Sequence, residues 1–121
     1  MNPKVEELLE LVDRIADLEG RIRAEDENQL PPRQTMQLIR ARAILELTSA
    51  LDQRGKPLYP NEKPREAALI VSLARNAEYQ DALKEVQQSK RRGEELIVEQ
   101  MCLQNRRAVL MLALGDQPPR P

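Results

Sequence analysis

AEYQDALKEVQQSKRRGEELIVEQMCLQNRRAVLMLAL, residues 77–114, runs for 38 residues without a proline. A seam stepping by three and four residues passes through Ala82, Val86, Ser89, Gly93, Leu96, Gln100, Leu103, Arg107, Leu110 and Leu114. Alternating steps of three and four keep side chains on one face of an α-helix, so the stretch predicts a single long helix packed along that face. At 1.5 Å per residue it spans about 57 Å, whereas a compact chain of 121 residues has a radius of gyration of roughly 14 Å. Self-association is the expected remedy, with Ala82, Val86, Gly93, Leu96, Leu103, Leu110 and Leu114 as the oligomer interface. Gly93 in mid-helix costs about 1 kcal/mol relative to alanine, so a close helix approach is expected there. Gln100 and Arg107, polar at seam positions, are expected to set register.

Asn76 suits both the end of one helix and the start of the next, with Glu78 in the following first turn, where a carboxylate meets the positive end of the helix dipole. Before it, a helix over 62–75 carries Pro64 in its first turn and is capped by Asn61. Its stretch Ala67–Ala74 is apolar nearly all round, which predicts burial on several sides or a place in a subunit interface. The segment from Arg54 to Pro60 holds two prolines and Gly55 and reads as a surface loop. A helix over 32–53 precedes it, with Met36, Ile39, Ala43, Leu47 and Ala50 on one stripe, Ile44 and Leu51 beside it, and Gly55 as its stop.

Pro31-Pro32 interrupts the ladder before that helix, as a kink or as a reversal. The first helix covers 4–28. Leu8, Leu11, Ile15, Leu18 and Ile22 form one stripe, and Val5, Leu9, Val12 and Ala16 a second beside it. Two stripes imply two packing neighbours and a bundle of three or more helices. The reading is all-α: three to four helices in a bundle or antiparallel coiled-coil hairpin with a long C-terminal helix, oligomeric. It places one helical domain at 1–115 and a disordered proline-rich tail at 116–121.

Composition limits the chemistry. The chain of 13.9 kDa has 40% hydrophobic and 32% charged residues, no His, Trp or Phe, only Tyr59 and Tyr79 as aromatics, and one cysteine, Cys102. Imidazole bases, His metal ligands and aromatic base-stacking platforms are therefore excluded. A single cysteine forms no intramolecular disulfide and no CxxC pair, and Cys102 is expected in the core or an interface. The start MNPKVEE is acidic and helical rather than a basic leader, and the longest uncharged apolar stretches are about eight residues against roughly twenty for a bilayer span. A cytoplasmic protein without membrane association is the expectation.

Carboxylates at Glu25-Asp26-Glu27, Glu94-Glu95 and Glu95/Glu99 read as solvated helix faces, because no ExxH or comparable ligand spacing accompanies them. No Gly-rich phosphate loop occurs. No enzyme activity, metal or cofactor is expected. Basic clusters are the remaining candidates: Arg40 and Arg42; Arg54, Lys56, Lys63 and Arg65; Lys90, Arg91 and Arg92; and Arg106-Arg107. Each can hold phosphates by charge and bidentate hydrogen bonds, or can belong to a mixed-charge solvated surface. With a formal net charge of −1, phosphate binding would depend on local patches repeated in an assembly.

The order of parts carries a resemblance. LDQRGKPLYPNEKPREAAL at 51–69, followed by NAEY at 76–79, sets a basic Gly/Pro loop, a short apolar helix, an acid-containing junction and a long terminal helix in succession. This layout resembles small helical accessory proteins of phages and mobile elements and, over residues 34–114, is similar to the UvsY-type recombination mediators. The resemblance implies a helical homo-oligomer that binds single-stranded DNA in recombination or replication. The alternative is an adaptor or inhibitor that docks on a host or phage protein through a helix face, without nucleic acid.

Overall fold

A computed structural model of the chain describes residues 2–115. The expected tail at 116–121 lies outside the described residues. Among those described are four helices and no strand: α1 (Pro3–Asn28), α2 (Leu30–Ser49), α3 (Glu62–Arg75) and α4 (Ala77–Gly115). Their contacts fall into two compact units where the heptads read as a single domain: Asn28–Gln88, and the residues up to Glu27 together with those from Ser89 onward. The long α4 contributes residues to each.

In the unit formed by α1 and the later part of α4, the two helices run antiparallel. Glu7 pairs with Arg106 at 2.9 Å, the Ile15 carbonyl accepts from Gln100 Nε2 at 3.5 Å, and Glu25 meets Ser89 at 2.7 Å, so positions rise along α1 as they fall along α4. Leu11, Ile15 and Leu18 of α1 are buried with Ser89 and Leu110 of α4, and Gly93, Leu96, Leu103, Arg107 and Leu114 are half-buried. From Ser89 onward the α4 seam is thus covered by the chain's own α1, where a second copy was expected, while Ala82 and Val86 are buried in the other unit. Gln100 reaches across the seam to α1. The second α1 stripe, expected to have a neighbour, has none within its unit: Leu9, Val12 and Ala16 are exposed and Val5 half-buried.

Gly93 also differs from expectation. A Cβ built there would lie 3.8 Å from the Glu25 Cβ, an ordinary van der Waals contact, so no close helix approach demands glycine. Gly93→Ala is therefore expected to stabilise the protein by about 0.5–1 kcal/mol, through helix propensity and a less flexible unfolded chain. A rise in the urea midpoint at constant slope checks this; a fall would mean that α1 sits closer than these distances allow.

The other unit is built on Ile39 and Ala43 of α2 and Leu69 and Leu73 of α3, with Leu47 and Tyr79 packed against them. Pro32, Ala82 and Val86 are also buried. Here α3 buries one face only, contrary to its apolar circumference: Ile70 and Val71 are 69% and 48% exposed, with Ala67 and Ala74 exposed on the same stripe. Asn76 acts as the expected junction. Its Oδ1 accepts the Tyr79 amide at 2.8 Å, capping α4, while its own amide donates to the Leu73 carbonyl at 3.2 Å. Asn61 occupies the cap position of α3, but its side chain makes no capping bond.

Two boundaries have local causes. Gln29 alone separates α1 from α2, and its φ of −79° and ψ of −19° are helical. Its carbonyl accepts the Arg33 amide at 3.1 Å, and Pro31 and Pro32 fall in the first turn of α2, where amide hydrogens are dispensable. α2 ends at Ser49 rather than Gln53, because Ala50 is extended and its carbonyl accepts the Leu58 amide at 2.8 Å. Asp52 Oδ1 then accepts the amides of Arg54 and Lys56, at 2.9 and 3.0 Å, drawing the backbone into a tight loop. Gly55, with φ of +77°, makes the turn of that loop and does not cap the helix.

Candidate nucleic-acid interface

The near-neutral total hides a segregation of charge. Residues 30–75 contain eight basic and four acidic side chains; α1 contains four basic and nine acidic; α4 has six of each. Polyanion affinity follows the local potential, so the α2–α3 segment is where phosphate would be attracted.

Within that segment α2 and α3 bring Arg40 and Arg65 to one cleft of about 290 Å³, beside Ile44, Thr48 and Leu69. Glu62 and Glu66 line the same cleft and temper its charge. Arg40 also borders a second cleft, of about 300 Å³, with Arg33, Met36 and Tyr79. Three guanidiniums thus flank two adjoining clefts, and a half-buried aromatic ring lies in one of them. Arg33 donates to Gln29 Oε1 at 2.8 Å, and because glutamine is neutral the positive charge is not cancelled by that bond. The sequence reading missed Arg33 and Tyr79 as members of the site. The seven-residue spacing of Arg33 and Arg40, which puts both on one helix face, is the signal that marks the first; the placing of Tyr79 needed the tertiary structure.

The remaining basic candidates are dispersed. Arg42 is exposed and lines neither cleft. Arg54 and Lys56 are exposed on the Asp52 loop, and Lys63 is exposed in the first turn of α3. Lys90, Arg91 and Arg92 belong to the other unit. There Arg92 Nε donates to Glu25 Oε1 at 2.9 Å, while Lys90 and Arg91 are exposed.

That unit carries a polar lock instead of a pocket chemistry. Ser89 is 2% exposed, and its Oγ lies 2.7 Å from both the Glu25 carbonyl and Glu25 Oε2, donating its one proton to either. Arg106 pairs with Glu7 on the surface; the hydrogen bond first, and the carboxylate charge second, hold its pKa above the ordinary arginine value. Arginine stays cationic throughout the working pH range in either case. Glu95 and Glu99 line a cleft of about 430 Å³ together with Arg21 and Arg92. Among the described residues no group of three or more Cys, Asp or Glu is placed to hold a metal ion. Cys102, expected in a core or interface, is exposed on α4. Among the described residues no helix is long and apolar enough to cross a membrane.

No family model, curated protein or solved structure matches the chain.

Proposed function

We propose that the chain is a non-catalytic accessory protein that works as an assembly and binds single-stranded nucleic acid, in recombination or replication of a phage or mobile element. The observation that carries this reading is the grouping of Arg33, Arg40 and Arg65 around two adjoining clefts of the basic α2–α3 segment, with Tyr79 in one of them. The guanidiniums neutralise phosphates, and the tyrosine ring offers one base a stacking surface. With so few contacts per chain, affinity comes from repetition of the site in the assembly.

Fluorescence anisotropy of a labelled oligonucleotide, titrated across a salt series, tests it. Each phosphate contact adds about 0.7 to the slope of log K against log salt for a single strand, so Arg33→Ala/Arg40→Ala/Arg65→Ala lowers that slope by about 2. Absence of binding at low salt overturns the reading.

The exposed Ile70 and Val71 of α3 favour a second reading, an adaptor that docks on a protein through that helix. It predicts a salt-tolerant complex, lost on Ile70→Arg, and no oligonucleotide shift.

A further inference from the structure

The α1–α4 pair has two unlike sides. Taking Leu8 and Leu11 as heptad positions a and d of α1, and Arg107 and Leu110 as a and d of α4, the antiparallel pair sets g beside g and e beside e. The g side is charged: Glu7, Arg21, Arg92, Glu99 and Arg106 occupy g positions, the Glu7–Arg106 pair closes across it, and the cleft with Arg21, Arg92 and Glu99 lies on it. The e side, with the b positions next to it, is apolar toward the start of α1 and the later turns of α4, interrupted by Gln104, while Glu19, Asp26 and Lys90 occupy its other end. α1 presents Leu9 and Val12 there, continued by Ala16, and α4 presents Ile97, Met101 and Met111, with Leu9 and Met101 54% and 55% exposed. Over some 11 to 14 residues of each helix, at 1.5 Å per residue and about 10 Å per helix width, the face measures on the order of 20 Å by 20 Å. That is the size of the largest apolar patches on soluble proteins, which commonly mark interaction sites.

We infer that this face is the self-association surface, covered by the same face of a second copy to make a four-helix bundle. This rests on the assembled form proposed above and names its surface. Charge selects the occupant and its orientation. Two such faces pack about a two-fold axis that lies either parallel or perpendicular to the helices. A perpendicular axis lays α1 against α1 and brings together two helices that each hold nine acidic and four basic residues. A parallel axis sets each α1 against the other copy's α4, whose segment from Ser89 onward holds Lys90, Arg91, Arg92, Arg106 and Arg107 against Glu94, Glu95 and Glu99. Opposite net charges then meet, which is the complementarity a second copy provides and a neutral apolar ligand does not.

Sedimentation equilibrium and far-ultraviolet circular dichroism on the full chain test this. The wild type is expected at twice the 13.9 kDa chain mass, and Val12→Lys/Met101→Lys at the single-chain mass with its helical signal retained. Ala108→Arg, at an exposed position of the same face, is a second route should the double variant lose helix, and Arg14→Ala on the charged side leaves the mass unchanged. A wild type of single-chain mass overturns the inference, as does a dimer that both face variants leave intact. Binding of the single-chain form to phosphatidylcholine vesicles would assign the face to lipid and also overturn it. Oligonucleotide affinity is read separately, so an inert basic cleft with a correct dimer mass would sink the nucleic-acid reading and leave this one standing.

Discussion

Leu18→Ala should lower stability by about 2–5 kcal/mol, the range for a large aliphatic removed from a site that does not collapse. Leu18 is 3% exposed and lies on the buried α1 stripe with Leu11 and Ile15, where the two-helix seam excludes water. Truncation removes apolar area from burial and leaves a void between helices whose backbones are held by the Gln100, Glu25 and Glu7 contacts on either side. Small domains are stable by only about 5–15 kcal/mol, so this single change consumes a large share. A urea titration should show the midpoint falling with the slope unchanged. Leu45→Ala, at a site of α2 that is mostly exposed, should stay within about 0.5 kcal/mol. Equal effects at the two positions would mean that α1 does not seal the α4 seam.

Ser89→Ala is the second large effect, at about 1–3 kcal/mol, because it deletes a buried hydroxyl whose one proton is donated to Glu25. The serine is the most deeply buried polar side chain of its unit, and its two acceptors both belong to Glu25. Arg92 still holds Oε1, so the carboxylate keeps its ion pair and the variant should fold. Replacing both polar groups, in Ser89→Ala/Glu25→Leu, should recover part of the loss, since removing both members of a buried polar pair costs less than removing one. A double-mutant cycle should give a coupling of about 0.5–3 kcal/mol. Additive single effects would show that the two residues merely lie close.

Much of this architecture was legible along the chain. The three-four steps from Ala82 to Leu114 mark the face of α4 that is covered, and those from Leu8 to Ile22 mark the α1 counterpart of its part from Ser89 onward, because helical periodicity and burial are the same regularity seen twice. Asn76 was readable as a junction because a short amide side chain satisfies the free amides of a helix start. The end of α2 was not, because its cause is a hydrogen bond from Leu58 to Ala50, eight residues apart, and a loop organised by Asp52. Periodicity cannot register such bonds. The candidate site was half legible: Arg40 and Arg65 stand out as basic residues, but their shared cleft depends on how α2 packs on α3.

Residue order by itself determined the all-α class, the number of helices and which stripe of each is apolar, since these follow from local propensity and from steps of three and four. Only the tertiary structure decided what each stripe meets. The α4 seam from Ser89 onward is closed by the chain's own α1, while the e-side stripes of both helices and the Ile70–Val71 face of α3 stay open. The physical reason is that a stripe specifies an apolar neighbour and not its identity, which is set by the antiparallel register that the Glu7, Ile15 and Glu25 contacts record.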